Sequence, residues 1–155
     1  MSRLWTGPED NPFDDRMVLI AGQPLWVEPV VKTILDEGGR PLSVNKVEEV
    51  FSILQFEQPE FFILTEGFGE DRSQANLLLE YVQHMPINQR REIFVVWVGE
   101  NIKTGDILSA FSYSVNLVLQ SERLAELTKQ IKKSWVQWKE LYQVFLQSRL
   151  QLNRR

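Results

Sequence analysis

Apolar residues occur along this chain in two distinct patterns. Blocks of strand length stand at 17–21 (MVLIA), 61–65 (FFILT, apolar at four consecutive positions) and 93–98 (IFVVWV). Between them the apolar positions spread out to helical spacing: Val27, Val30, Val31, Ile34 and Leu35, then Val47, Val50, Phe51 and Leu54, then Leu77, Leu78, Tyr81 and Val82. The blocks predict buried strands and the spaced positions predict amphipathic helices. Two weaker strands are expected at 41–45 and 115–119 (VNLVL), and a short helix at 106–113.

Punctuation residues agree with these assignments. Gly22-Gln23-Pro24 ends the first block in a turn, Gly38-Gly39 stops the first helix, and Pro59 closes the second. Pro29 lies in the first turns of its helix, where a missing N–H costs least. Ser73 and Ser121 stand where N-caps of the third and last helices would, and Glu122 suits the positive end of a helix dipole. Residues 86–92 are polar, and residues 99–104 are expected as a loop. Five strands alternating with five helices predict one α/β domain, a doubly wound parallel sheet covered on both faces.

Length and composition narrow the picture further. With 155 residues, 43% hydrophobic and 25% charged, the chain fits one folded domain and excludes wholesale disorder. The absence of cysteine removes disulfides, thiolate nucleophiles and thiolate metal sites. Residues 1–16 hold no continuous apolar run and are expected as a flexible extension without a secretory signal, and no block is long enough to cross a bilayer. A cytoplasmic protein is the expectation. Charge is uneven: 121–155 carries eight Lys/Arg against three Glu, net +5, whereas 1–120 carries nine basic against eighteen acidic residues, net −9.

The order of elements, with MVLIAGQP at the first strand and loop, QPEFFILTE at the third strand and SVNLVLQSERLAEL at the fifth strand and last helix, resembles a response-regulator receiver domain over residues 17–134. The resemblance implies a flavodoxin-like sheet in the order 2-1-3-4-5, with chemistry at the carboxyl ends of the strands. Receiver chemistry calls for an acidic pair after strand one to hold magnesium, an acceptor aspartate after strand three, a Ser/Thr after strand four and a lysine after strand five. On this chain those positions fall on Ala21 and Gly22, on Thr65, on Val98 and on Gln120. Each departs from the pattern. A register slip of one residue would place Glu66 at the acceptor position, yet it leaves the metal-binding pair absent. The resemblance therefore implies a degenerate, pseudo-receiver member without aspartyl phosphorylation, enzymatic activity, metal or cofactor, acting in signal transduction through protein contacts. The alternative from another class is a small-ligand-binding flavodoxin-like domain, in which Thr65 and Gln120 hydrogen-bond a neutral ligand.

Other features carry less. The run Glu66-Gly67-Phe68-Gly69-Glu70 lacks the Lys-Ser/Thr of a phosphate loop and its acids would repel phosphate, so it reads as a strand-to-helix loop. His84 is the only histidine and reads as a helix-end residue. Trp97 is expected in the core, and Trp26 either packs beside the first loop or caps the altered site, packing being simpler.

The last helix departs most from a receiver. No Gly or Pro interrupts residues 121–152, giving up to about 48 Å of helix at ~1.5 Å per residue. Leu124, Leu127, Ile131, Trp135, Trp138, Tyr142 and Phe145 follow steps of three and four, with Leu141, Leu146 and Leu150 widening the stripe. Residues 135–155 form an extension beyond a receiver body, and Trp135, Trp138, Tyr142, Phe145 and Leu150 are the expected interaction surface. The stripe is short for a self-sufficient coiled coil. It either extends the core or meets a protein partner or a second copy; Glu126 and Glu140 among the basic residues argue against nucleic acid or a membrane surface.

Overall fold

The computed structural model describes the backbone of residues 11–69 and 72–153, and their side chains as far as 141 except that of residue 72. Its strands are β1 (Met17–Ala21), β2 (Arg40–Ser43), β3 (Phe61–Thr65), β4 (Phe94–Gly99) and β5 (Leu117–Gln120). Its helices are α1 (Pro24–Asp36), α2 (Val47–Phe56), α3 (Arg72–Gln83), α4 (Ile87–Arg90), α5 (Ile107–Tyr113) and α6 (Leu127–Asn153). The strands form one parallel sheet in the order β2-β1-β3-β4-β5, the order expected for a flavodoxin-like fold. Among the described residues no helix is long and apolar enough to cross a membrane.

Period-two alternation divides the sheet between two cores. Leu19, Phe62, Leu64, Val95 and Val118 face α2, α3 and α5. Val18, Ile20, Phe61, Ile63, Phe94, Val96 and Leu119 face α1 and α6. Because β3 and β4 are central and covered on both sides, every residue in them is buried, which is why their sequences are almost unbroken apolar runs. Edge strand β2, with Pro41 in it, is mostly exposed. Helix α1 ends as its glycines foretell: Gly38 takes φ +85°, and the N–H of Gly39 donates to Ile34.

Several local expectations are corrected. Residues 11–16 are docked rather than loose, while 1–10 lie outside the described residues. Phe13 is fully buried with its ring 5.1 Å from Phe61, and the Asp15 N–H donates to Gly38 over 2.9 Å. A lone aromatic in a polar stretch has no periodic neighbours to betray it. The polar stretch 86–92 contains the one-turn helix α4. Helix α3 already includes Ser73, so this serine is inside the first turn instead of ahead of it. Ser121 is not the N-cap of the last helix: residues Ser121–Glu126 form a 3₁₀ segment, with Arg123 out of helical conformation, before α6 begins. Strand β5 starts two residues later than expected, because the Asn116 side chain, rather than a further ladder pair, accepts the Val95 N–H over 2.8 Å.

Candidate functional site

Ligands in a doubly wound sheet are met at the carboxyl ends of the strands. Ala21 ends β1 opposite Leu64, Thr65 ends β3 opposite Val98, and Gln120 ends β5 opposite Gly99. With Gly22 following β1, the five positions singled out in the sequence converge on one edge of the sheet. Ala21 and Val98 are fully buried and point into opposite cores.

Thr65 is 1% exposed, and its hydroxyl accepts the backbone N–H of Gln23 over 2.8 Å. That bond ties the β1–α1 loop to the end of β3. Gln23 in turn offers its carbonyl to the N–H groups of Trp26 and Val27, opening α1. Its side chain lies over Gly67, where φ is +85° and an added Cβ would come within 2.6 Å of the Gln23 amide nitrogen. Gln23 thus meets both Thr65 and Gly67 between the ends of β1 and β3. Neither Gln23 nor Gly67 is among the five positions taken from the receiver resemblance, since the contact between them exists only once β1 and β3 are paired.

Glu66 faces the other way. Its N–H donates to Val98 over 2.8 Å and its carboxylate accepts the N–H of Glu100 over 3.0 Å. The carboxylate therefore sits against the β4–α5 loop, not beside Ala21 and Gly22. At β5 the Gln120 N–H donates to the Thr104 hydroxyl over 3.0 Å, closing the same loop over the strand. Two cavities flank the edge. One of about 610 Å³ includes Gly22, Lys46, Ser73 and Gln74 in its wall. The other, about 300 Å³, is walled by Glu66, Asn76, Trp97, Asn101 and Tyr113. His84 donates its Nδ1–H to the Glu80 carbonyl over 2.8 Å, an ordinary helix-end contact. Trp26 packs partly buried on the α1–α6 core, and Trp97 is buried 5.9 Å from the Tyr113 ring.

The expected interaction stripe on α6 divides. Trp135 is not a surface residue: it is 2% exposed, with ring centroids 5.4 Å from Phe61 and 6.2 Å from Phe94. The Arg16 guanidinium lies 5.4 Å from its ring centroid. Trp138 is half-buried, edge-on to Phe94. The side chains of Tyr142, Phe145 and Leu150 lie outside those described. A 2.8 Å ion pair between Lys132 and Glu37 fastens α6 to the end of α1.

The exposed apolar surface instead includes α5, where Ile107 and Phe111 are 80% and 83% exposed. With Trp138 and Leu141 they line a groove of about 330 Å³ between α5, β5 and α6. Arg90 holds this side of the molecule from beneath. It donates to the carbonyls of Ser114 and Ile93 and to the Asn116 side chain, fixing Ser114 at φ 61°. Burial pushes its pKa down to about 10, which leaves it protonated at neutral pH.

No family model matches this sequence, and no curated protein matches it. Solved structures do. The signal receiver domain of a protein described as a LuxO repressor from Vibrio parahaemolyticus aligns at TM-score 0.62 and 10% identity, over 85% of this chain and 98% of that one. A response regulator from Thermotoga maritima aligns at TM-score 0.58 and 15% identity, over 78% and 98%. A DNA-binding response regulator of the LuxR family from Staphylococcus aureus aligns at TM-score 0.55 and 21% identity, over 77% and 98%. The chain has the fold of response-regulator receiver domains.

Proposed function

We propose that this chain is a pseudo-receiver: a signalling adaptor of the two-component kind that works in the cytoplasm by binding protein and accepts no phosphoryl group. The observation that carries the reading is the state of the β3 end. Thr65 stands at the acceptor position with its hydroxyl engaged by Gln23, and Glu66, the adjacent carboxylate, is turned to Glu100. A phosphoryl acceptor in this fold needs a free carboxylate beside a hard cation held by oxygen ligands. Ala21 and Gly22 offer no side-chain oxygen, Val98 cannot hydrogen-bond a phosphoryl group, and Gln120 brings no positive charge to neutralise it. What the frame keeps is a stable scaffold, and what it presents is the α5–α6 side.

The test is incubation of the full chain with acetyl phosphate and magnesium, read by intact mass. No mass increase of one phosphoryl group is expected, and no acid-labile adduct. An adduct mapped to Glu66 or to any aspartate overturns the proposal.

A further inference from the structure

We infer that the cavity of about 300 Å³ between α3 and the β4–α5 loop binds a small, uncharged, planar molecule with an N–H beside a carbonyl, the edge that a guanine or uracil ring presents. The Trp97 indole N–H and the Glu66 carboxylate are the two groups that read that edge. The lining leaves out Ala21, Gly22, Thr65, Val98 and Gln120, so the site stands or falls apart from the adaptor reading.

The first observation is a buried donor without an acceptor. Trp97 is 5% exposed, yet among the described residues its indole N–H makes no hydrogen bond. Leaving such a group unpaired away from water costs free energy. Trp97 lines the cavity, so an acceptor atom of a bound ligand can satisfy it there. Glu66 brings the complementary group. One of its oxygens accepts the Glu100 N–H over 3.0 Å, and the other accepts nothing among the described residues.

The second observation is where the two groups meet. A Cβ added to Gly99 would lie 3.1 Å from Trp97 Nε1, 3.1 Å from Glu66 Oε2 and 3.0 Å from Ile102 Cδ1. All three of those residues line the cavity. Gly99 is not among the glycines with positive φ, so its backbone does not call for glycine. What glycine keeps here is open space in front of the donor and the acceptor.

A donor and an acceptor that reach to one point match a ligand edge in which an acceptor stands beside an N–H. The walls suit a flat ring. Trp97 and Tyr113, with ring centroids 5.9 Å apart, line the cavity with Ala75 and Leu79 of α3, and heterocyclic bases pack well on aromatic surfaces. Charge narrows the class further. Glu66 is the one charged side chain among the described lining residues, and it repels a phosphate. A free base or a nucleoside therefore fits, and a nucleotide does not. The exposed Asn76 and Asn101 supply amides that can meet the hydroxyls of an attached ribose.

Titration of the full chain with guanosine and with uridine, followed through the indole N–H signals of its five tryptophans in ¹⁵N spectra, tests this. The Trp97 signal is identified by its loss in Trp97→Phe. At least one of the two nucleosides should displace it saturably at millimolar concentration. Its derivative methylated on the ring N–H, 1-methylguanosine or 3-methyluridine, should bind about tenfold more weakly or worse. Gly99→Ala, and Trp97→Phe followed through the Glu66 amide, should each raise the dissociation constant about tenfold or more. A Trp97 signal that neither nucleoside moves overturns the inference. So do methylated forms that bind as well as their parents, a comparison that needs no variant to fold. Equal binding of tetramethylammonium also overturns it, because the site would then read charge and not an edge.

Discussion

Replacing Trp135 by alanine is expected to lower the stability of the fold by about 3–5 kcal/mol, the range for removing a large aromatic from a close-packed core. The indole is 2% exposed and touches Phe61 and Phe94, which are central to the sheet, and the half-buried Trp138. Its removal empties the junction of α6 with the amino ends of β3 and β4. Leu141→Ala, two turns further at 70% exposure, is expected to cost no more than about 0.5 kcal/mol. Urea unfolding of the two variants, followed by tryptophan fluorescence and by circular dichroism, measures the contrast. Equal midpoints would mean that α6 adds nothing to the core and that Trp135 belongs to a surface after all.

Arg90→Ala is expected to cost about 3 kcal/mol, through desolvated acceptors rather than through lost charge pairing. The guanidinium bridges α4 to the α5–β5 turn by bonds of 2.7–3.1 Å to Ser114, Ile93 and Asn116. Removing it leaves the partly buried Ile93 carbonyl and Asn116 side-chain oxygen without their donor. It also frees Asn116, which holds the Val95 N–H at the start of the β4–β5 ladder. Arg90→Lys should recover less than half of the loss, because an ammonium cannot span three acceptors set for a planar fork. Thermal unfolding of the three proteins in one buffer checks the order wild type, lysine, alanine. Full rescue by lysine would contradict the bracket.

The readable parts of this fold are those where local pattern and tertiary role coincide. Residues 61–64 (FFIL) and the 93–98 block are apolar throughout because β3 and β4 are covered on both faces, so composition alone located them. Gly38 marked the end of α1 because the backbone there needs positive φ. The misread parts depend on contacts that have no local signature. Phe13 enters the core from a stretch rich in Asp, Asn and Pro. Asn116 sits in what reads as a strand, but it caps a neighbouring N–H with its side chain. Periodicity placed Trp135 on the apolar stripe of α6 and could not tell that the stripe is buried against the body there. At the candidate site, the five positions came from the resemblance to receiver domains. That Glu66 faces Glu100, and that Gln23 bonds to Thr65, depended on the pairing of β1, β3 and β4.

We propose a receiver fold whose phosphoryl and metal positions, at Gly22, Thr65 and Gln120, bind neither group. Beryllofluoride, a phosphoryl mimic, with magnesium tests it without requiring any covalent chemistry. Amide chemical shifts of Gly22, Gln23, Thr65, Glu66 and Gln120 are followed in ¹⁵N spectra as the two are added together. These amides are expected not to move at millimolar magnesium and beryllofluoride. Saturable shifts confined to the loops after β1, β3 and β5 would contradict it.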